Sequence, residues 1–498
     1  MKPIRRDRPA RVCRLLLGTT TSALLGACAV GPDFHRPGAP EIEHYQTEPL
    51  PSTLSSGSDA AGPNDPQRFV AGMDIPAEWW TLFHSQPLND LIQAAIKVNP
   101  DLKAAQAALR GAWENVYAQQ GFYFPTVTPD FNSSRERTAA PLASILTSGN
   151  YVFNLQTAQV SVSYVPDVFG GNRRQVESLQ AQAQMQRFEL EATYLTLTTN
   201  LVNGALTEAA LRAQIAATHT IIDDQVRTLA SFRRQLTLGQ VAESDVLGQE
   251  ALLAQTQAML PPLEKQLAQE RDLIAALAGR FPGEELAAKF ELSGLSLPEE
   301  LPVSLPSKLV EQRPDIRAAE ENLHSASAQI GVAVAARLPN ITLTGNIGST
   351  ATQINQLFTG GTGFWGITGD VAAPLIDGGT LMHRERAARA AFDQAREQYR
   401  STVLSAFQNV ADTLHAIQSD TDAVRTARAA AIAAARSLAI ARRQFTLGDI
   451  NELAMLAAEA TDRLAQIALI QAQAIRYTDA AALFQALGGG WWNRKPHL

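Results

Sequence analysis

Two copies of one heptapeptide set the organisation of this chain: RRQLTLG at residues 233–239 returns as RRQFTLG at residues 442–448. Three other landmarks recur in the same order, at offsets between 208 and 214 residues. They are NPDL and RPDI at 99 and 313, PTVT and PNIT at 125 and 339, and PDVFGG and PLIDGG at 166 and 374. Four landmarks at a nearly constant offset predict a tandem repeat with a unit of about 210 residues.

Each repeat predicts the same order of elements. These are a first helix (86–120 and 307–337), a β-hairpin (125–165 and 339–376), a long helix (172–236 and 380–445) and a return helix (243–277 and 452–487). The long segments contain no proline and are rich in Ala, Gln, Glu, Arg and Leu, which favour helices. About 65 helical residues form a rod of roughly 100 Å, so each repeat is expected to pair long antiparallel helices as a coiled coil.

The hairpins alternate apolar and polar residues. In ITLTGNIGS at 341–349, the odd-numbered positions are mostly apolar and the even-numbered positions are polar or glycine. In WGITGDV at 365–371, Trp365 and Ile367 occupy one parity and Asp370 the other. This alternation predicts strands of a membrane barrel, with one face for lipid and one for water. The first hairpin is less regular, and the edge of a soluble β-sandwich is the alternative.

Four strands per chain are too few to close a barrel, because an open sheet edge in lipid leaves backbone groups unpaired. The smallest membrane barrels have about eight strands. Copies of the chain must therefore share one barrel. Two copies would give eight strands around a filled interior, whereas three would give twelve strands around a pore.

The composition excludes several classes of protein. The 498 residues carry a net charge of -7, so no basic excess points to nucleic acid. The mean hydropathy is -0.09, and no run of 18 apolar residues follows the first thirty, which excludes a polytopic helical membrane protein. The two cysteines, Cys13 and Cys28, both lie near the N-terminus, so no disulfide framework is expected in the body.

The N-terminal residues predict a secretory signal. Six basic residues precede a short apolar stretch, and LGAC follows at 25–28. This ending resembles a bacterial lipobox, so Cys28 is the expected lipidation site, with palmitate-type acyl chains that anchor the mature protein. A signal with a chance cysteine is the alternative. Ala29 follows in place of the Asp that commonly retains lipoproteins in the inner membrane, which favours the outer membrane.

Several short motifs together resemble one family. They are CAVGPDFHRP at 28–37, WW at 79–80, NPDL at 99–102, PDVFGG at 166–171, RPDI at 313–316 with AAE at 318–320, and LTG at 343–345. The chain is similar to outer membrane factors, the TolC-like exit ducts of efflux pumps, in their NodT-like lipoprotein branch. The resemblance implies a homotrimer with a twelve-stranded barrel and a helical barrel across the periplasm. It also implies a periplasmic adaptor and an inner-membrane pump as partners, the pump often of the resistance-nodulation-division type.

The expected fold is therefore an α+β membrane protein, with long antiparallel coiled coils and four strands per chain in a shared trimeric twelve-stranded barrel. The expected domains are a signal peptide (1–27), a lipidated arm (28–85), a first repeat (86–297), a second repeat (298–488) and a tail (489–498). The expected location is the outer membrane, with lipid anchoring and extension into the periplasm.

No catalytic chemistry is apparent in the sequence. The eight histidines are scattered without helical ligand spacing, so no metal site is expected. GTGFWG at 361–366 fits a dinucleotide fingerprint but precedes a strand, so a flexible loop is favoured. We expect no cofactor and no enzyme activity. The expected function is a passive efflux duct for small molecules, and a non-transporting structural lipoprotein of the envelope is the alternative.

The turns after the long helices are the expected adaptor-docking tips, because the family docks there. The residues concerned are Leu238, Gly239, Val241 and Ser244 in the first repeat, and Leu447, Gly448, Ile450 and Leu453 in the second. Glycine ends helices because it accepts the left-handed conformation. Ser244 and Asn451 lie where the next helix is expected to be capped. A turn with only a folding role is the alternative.

The same tips are the expected gate of the duct. Family members often carry a carboxylate nine residues after the second glycine and a Tyr three residues before it, whereas this chain has Ala457 and Phe445. Asp245 matches the acidic partner of that Tyr. A mainly hydrophobic seal with a weaker acidic ring is therefore expected, with solvated surface charges as the alternative. The candidates are Asp245, Phe445, Asp449, Glu452, Leu453, Leu456 and Glu459.

Overall fold

The computed structural model describes residues 29–51, 53–55, 66–138, 152–284 and 286–494. The chain divides into two compact units, each assembled from three stretches of sequence. The first unit comprises Met1–Arg36, Arg110–Met185 and Ala319–Gln398, and the second comprises Pro37–Leu109, Gln186–Ala318 and Tyr399–Leu498. Each unit therefore draws on both sequence repeats.

Helices form most of the described chain. They are α1 (Gln86–Val98), α2 (Pro100–Gln120), α3 (Gly171–Thr237), α4 (Glu243–Gln257), α5 (Leu260–Leu277), α6 (Pro306–Gln312), α7 (Pro314–Ala335), α8 (Thr380–Leu447) and α9 (Glu452–Ala486). The long helices α3 and α8 have 67 and 68 residues and lie where the sequence predicts them. Within the described residues, no helix is long and apolar enough to cross a membrane.

The predicted first helix of each repeat is wrong in one respect, because each is two helices. The breaks fall at Asn99 and Arg313, whose ψ angles are 127° and 123°. Each residue precedes a proline, and the proline ring disfavours the helical conformation of the residue before it. Asn99 also caps α2, since its side-chain oxygen accepts a hydrogen bond of 3.0 Å from the N–H of Leu102.

The return helix of the first repeat is also divided, contrary to the single helix predicted for 243–277. Helix α4 ends at Gln257, and α5 begins at Leu260 with prolines in its first turn. Proline lacks an N–H and fits the first turn, where that group has no partner within the helix. The second repeat has no proline in this segment, and α9 runs unbroken over 35 residues.

Seven strands form two sheets in the described chain. They are β1 (Leu54–Ser55), β2 (Pro66–Ala71), β3 (Thr126–Arg137), β4 (Val152–Tyr164), β5 (Glu300–Val303), β6 (Asn340–Ala351) and β7 (Gly363–Ala372). In the second unit, β1, β2 and β5 form a small sheet in that order. In the first unit, the two predicted hairpins join edge to edge as an antiparallel sheet in the order β3-β4-β6-β7.

In the core of the second unit, aromatic residues that precede α1 pack against aromatic residues of α9. Trp79 and Trp80 are buried, and the Trp79 ring stacks on Phe484 at a centroid distance of 5.3 Å. The buried guanidinium of Arg476 donates a hydrogen bond of 3.0 Å to the side-chain oxygen of Gln67, which holds α9 to β2. The WW pair in the sequence thus marks a packing centre.

Candidate functional site

One face of the four-stranded sheet is apolar and exposed. The register pairs Phe131 with Ala158, Val160 with Ile347, and Ile347 with Trp365, so these side chains share a face. This face carries exposed Val127, Phe131, Val160, Val162, Leu343, Ile347, Trp365, Ile367 and Val371. Large exposed apolar surfaces on soluble proteins are rare, so this face is suited to lipid.

The opposite face of the same sheet is polar. It carries Thr128, Asp130, Asn132, Gln159, Ser161, Thr344, Asn346, Thr368 and Asp370. Within the described part of the chain, β3 pairs only with β4 and β7 only with β6, so both outer edges have no strand beside them. Because backbone groups in lipid must be paired, an amphipathic sheet of this kind requires further strands at both edges.

Both tip turns use glycine in the left-handed conformation. The φ angles are +70° at Gly239 and +79° at Gly448, and a Cβ atom added at either position would meet no atom within 4 Å. In each turn, the N–H after the glycine donates a 2.9 Å hydrogen bond to a carbonyl five residues earlier, Gln240 to Gln235 and Asp449 to Gln444. This is the Schellman arrangement, so backbone conformation rather than space requires glycine.

The caps of the two return helices differ from the prediction in one case. Asn451 caps α9, and its side-chain oxygen accepts a 3.0 Å hydrogen bond from the N–H of Ala454. The expected cap at Ser244 is wrong, because α4 begins at Glu243 and Ala242 is the capping residue. Alanine offers no side-chain acceptor there. Asp245 instead accepts a 3.1 Å hydrogen bond from the N–H of Ala242.

Both tips line one groove of about 1150 Å³ in the second unit. The groove gathers eight of the predicted residues: Gly239, Val241, Ser244, Asp245, Phe445, Glu452, Leu453 and Leu456. Leu238, Leu447, Gly448, Asp449, Ile450 and Glu459 do not line it. Leu238, Leu447 and Leu453 are about 70% exposed, at 71%, 68% and 74%, so the tips present apolar side chains to their surroundings.

Leu456 and Phe445 occupy different environments in this groove. Leu456 packs against a buried cluster of Leu229, Phe232 and Val246, between the long helix and the return helix of the first repeat. Phe445 is half-buried and lines the groove. Within the single chain, Leu456 therefore joins the two repeats, while Phe445 keeps part of its ring accessible.

Glu452 is the most perturbed carboxyl group of the tips. Its Oε2 atom is buried without a hydrogen-bond partner among the described residues. Burial, and then the nearby charge of Asp245, raise the pKa of Glu452 to about 7. Asp245 itself is exposed. Glu452 therefore carries less negative charge near neutral pH than an ordinary carboxylate would.

Glu459 is not a free carboxylate in the folded chain. Its side chain is buried and pairs with Arg463 one helical turn later. Arg442 of α8 lies 3.7 Å from the same carboxylate oxygen. The structure thus gives Glu459 a place in an interhelical ion-pair network, whereas Asp449 stays exposed.

The profile of the family described as outer membrane efflux protein matches residues 91–280 and 305–489, which together exceed half of the chain. The chain belongs to this family.

Individual relatives share this assignment. The chain is 28% identical over 485 residues to the probable efflux pump outer membrane protein TtgC of Pseudomonas putida, covering 96% of both chains. The structure of the outer-membrane channel OprN is 26% identical, with a TM-score of 0.81 over 93% of this chain and all of that one. The open-state MtrE outer membrane channel of Neisseria gonorrhoeae is also 26% identical, with a TM-score of 0.80 over 93% of this chain and 99% of that one. This family member is accordingly an outer membrane efflux channel, and its fold combines the helical barrel and β-barrel elements of such channels.

Some features of the site were not predicted from the sequence. The ion pairs of Glu459 with Arg442 and Arg463 were not predicted, although the i,i+4 spacing of Glu459 and Arg463 is a recognisable helix signal. Cys28, the predicted lipidation site, lies outside the described residues. Among the residues that are described, no group of three or more His, Cys, Asp or Glu side chains is arranged to hold a metal ion.

Proposed function

We propose that three copies of this family member form one passive exit duct, each contributing four strands to a shared twelve-stranded barrel. The single observation that carries the proposal is the amphipathic sheet whose outer strands, β3 and β7, have unpaired edges in the described chain. Pairing β3 of one copy with β7 of the next would satisfy both edges. Two copies would close only eight strands around a filled interior, which leaves no pore.

The duct would work with two partners: a periplasmic adaptor and an inner-membrane pump, of the resistance-nodulation-division type. The support is that relatives such as TtgC are named as outer membrane proteins of efflux pumps. The duct itself performs no catalysis, and its partners supply the energy. A test deletes the gene in its host and measures accumulation of fluorescent dyes. Accumulation should rise and return to normal with the wild-type gene, whereas a purely structural envelope lipoprotein would change permeability to all solutes without affecting active efflux.

Acylation of Cys28 would add an outer-membrane anchor beside the barrel. The support is the LGAC sequence at 25–28. Cys28→Ser should abolish metabolic labelling with palmitate, while assembly persists in part, because the barrel buries far more apolar area than the acyl chains. An unmodified N-terminus at another residue, found by mass spectrometry of the mature wild-type protein, would overturn this part of the proposal.

The tips would dock the adaptor. The support is the exposed leucines beside two glycine turns, Leu238, Leu447 and Leu453. Gly239→Glu or Gly448→Glu should leave trimers intact but abolish efflux, because the change adds a charged side chain and strains a left-handed residue. Gly111→Glu is the matched control, since a Cβ atom added at that position in α2 also meets no atom within 4 Å. Full efflux by both tip variants would locate docking elsewhere.

The gate would be a mainly hydrophobic seal with a weak acidic ring. Phe445 and Leu453 line the groove and would form the seal, supported by Leu456. Asp449 and Glu452 would supply the ring, since Glu459 is neutralised by its arginines. Phe445→Ala should raise the open probability of single channels. Asp449→Ala with Glu452→Ala should reduce cation selectivity and divalent-ion block, and unchanged values would remove the ring from the proposal.

A further inference from the structure

The segment AVGPDFHR at 29–36 has no role in the proposed duct, yet it is held tightly in the first unit. The N–H of Val30 donates a 3.1 Å hydrogen bond to the carbonyl of Phe169, just before α3. Arg174, in the first turn of α3, has a side chain only 5% exposed. Its guanidinium donates to the carbonyls of Val30 and Gly31, at 3.1 and 3.4 Å.

The same segment lies directly on the backbone of α7. A Cβ atom added to Gly31 would fall 2.4 Å from the Cα of Gly331, and one added to Gly331 would fall 2.8 Å from the carbonyl oxygen of Val30. Gly31 also has a φ angle of +96°. Two glycines facing each other therefore allow an approach that no other residue pair would permit.

Side chains of the segment contact both α3 and α7. Asp33 accepts a 2.7 Å hydrogen bond from Arg174 of α3, and Arg36 pairs with Glu320 of α7. Phe34 stacks on His324 of α7 at a centroid distance of 4.4 Å. His324 in turn lies 3.1 Å from a carboxylate oxygen of Glu177 in α3. The carboxylate of Glu321, and then that of Glu177, raise the pKa of His324, which favours the imidazolium that both can pair with.

Near these contacts, polar side chains also hydrogen-bond between α3 and α7. Ser178 and Ser325 share a buried 2.8 Å hydrogen bond, and Gln329 donates a 2.8 Å hydrogen bond to Ser178. Because each neutral hydrogen bond adds only modestly to net stability, contacts that connect both helices through residues 29–36 add to what holds the helices together.

The position of this contact between α3 and α7 connects it to the sheet. Helix α3 follows β4 after six residues, and α7 precedes β6 by four. Strands β4 and β6 are the pair that joins the first-repeat hairpin to the second-repeat hairpin. We propose that residues Ala29–Arg36 form an N-terminal clamp, which holds α3 of the first repeat to α7 of the second and thereby stabilises the β4–β6 junction. The clamp goes beyond the proposed duct and requires neither the trimer nor acylation.

Hydrogen exchange of the full-length mature protein in detergent, read by mass spectrometry, tests the clamp. In Asp33→Ala/Phe34→Ala, peptides from 172–182 and 322–332 should exchange about tenfold faster, from the loss of one ion pair and one aromatic stack. The matched control is Glu41→Ala/Glu43→Ala, two exposed acidic residues of the same arm, which should exchange as wild type. Equal exchange in both variants would overturn the clamp.

A second pair of variants changes glycines of the helices instead of residues of the segment. Gly331→Ala places a methyl group against Val30 and Arg174, so the arm peptide 29–36 should lose protection and exchange faster. Gly111→Ala in α2 meets nothing within 4 Å and should change nothing in the arm. Unchanged protection in Gly331→Ala would contradict the contact itself. Hydrogen exchange does not depend on conductance, so the two proposals can fail separately. If the protein conducts but its variants show no change in exchange, only the clamp is refuted. If the variants show the expected exchange but the protein does not conduct, only the duct is refuted.

Discussion

The two tips form the same turn, but each has only one of the two hydrogen bonds of a capping box, and not the same one. In a full capping box, the capping side chain binds the N–H three residues later, and the side chain there binds back. The first repeat has only the returning half, from Asp245 to Ala242, and the second has only the forward half, from Asn451 to Ala454. Equivalent backbone geometry therefore does not imply equivalent side chains: each tip has two carboxylates, but one of the two lies at a different position.

The ion pairs behind the tips show the same divergence. At the repeat offset of 209 residues, Arg233 and Glu250 correspond to Arg442 and Glu459. The first pair is 2.7 Å apart and largely exposed, with side-chain exposures of 62% and 39%. In the second, the Glu459 side chain is only 4% exposed and also pairs with Arg463. The second repeat has thus buried a contact that the first leaves in solvent, which makes the second tip the more sensitive to mutation.

The largest expected difference follows from this burial. Glu459→Ala removes the partner of Arg463, whose side chain is 10% exposed, and should cost about 3–5 kcal/mol of unfolding free energy. Glu250→Ala breaks the corresponding exposed pair and should cost about 0–1 kcal/mol. Chemical unfolding in detergent, followed by helical circular dichroism, compares the two. Equal losses would show that burial does not distinguish the repeats.

The next difference is in pH dependence. The folded chain holds the Glu452 proton more tightly than the unfolded chain, because burial and Asp245 raise its pKa from 4.5 to about 7. Between these values only the unfolded chain loses the proton, so the tip should lose stability as pH rises through this window. Glu452→Gln should flatten that slope in thermal melts. Its repeat counterpart Glu243 is exposed, so Glu243→Gln should leave the slope unchanged; a flat wild-type profile would contradict the assignment.

Removing the forward cap of the second tip should have a smaller effect. Asn451→Ala deletes the acceptor of the Ala454 N–H and should cost about 1 kcal/mol. The loss should appear as faster hydrogen exchange in the first turn of α9 and a lower unfolding midpoint. Ser244→Ala in the first tip removes no cap and serves as the control. A similar loss of stability in Asn451→Ala and Ser244→Ala would contradict the capping role of Asn451.

The smallest expected effect is a gain. Ala242→Ser supplies the missing acceptor in the first tip and completes the box with Asp245, which should add about 0.5–1 kcal/mol. Unfolding measurements on this variant, with Asp245→Asn as a comparison, read the gain directly. If Ala242→Ser stabilises only when Asp245 is present, the two halves act together, whereas a loss of stability would show that the tip cannot accommodate the box.

Much of this fold was predicted from the sequence, because the patterns of helices, strands and turns depend on residues that lie close together in the chain. The long helices, both hairpins and the tip glycines lie where the pattern places them. The breaks at Asn99 and Arg313 were in principle visible, since each precedes a proline. The burial of Glu459 beside Arg442 depends on how α8 and α9 pack, which a local pattern does not encode. The contacts of Asp33 and Phe34 join residues far apart in sequence, and short motifs carry no information on such pairs.

The central claim, a duct whose barrel is completed by other copies, is tested most directly by planar-bilayer conductance of the purified protein together with its molar mass in detergent. A shared trimeric barrel should give discrete single-channel steps from a species of three chains. The Cys28→Ser variant, which lacks only the anchor, should show the same unitary conductance. The absence of any conducting species, or conductance by a single chain, would rule out a barrel shared between copies.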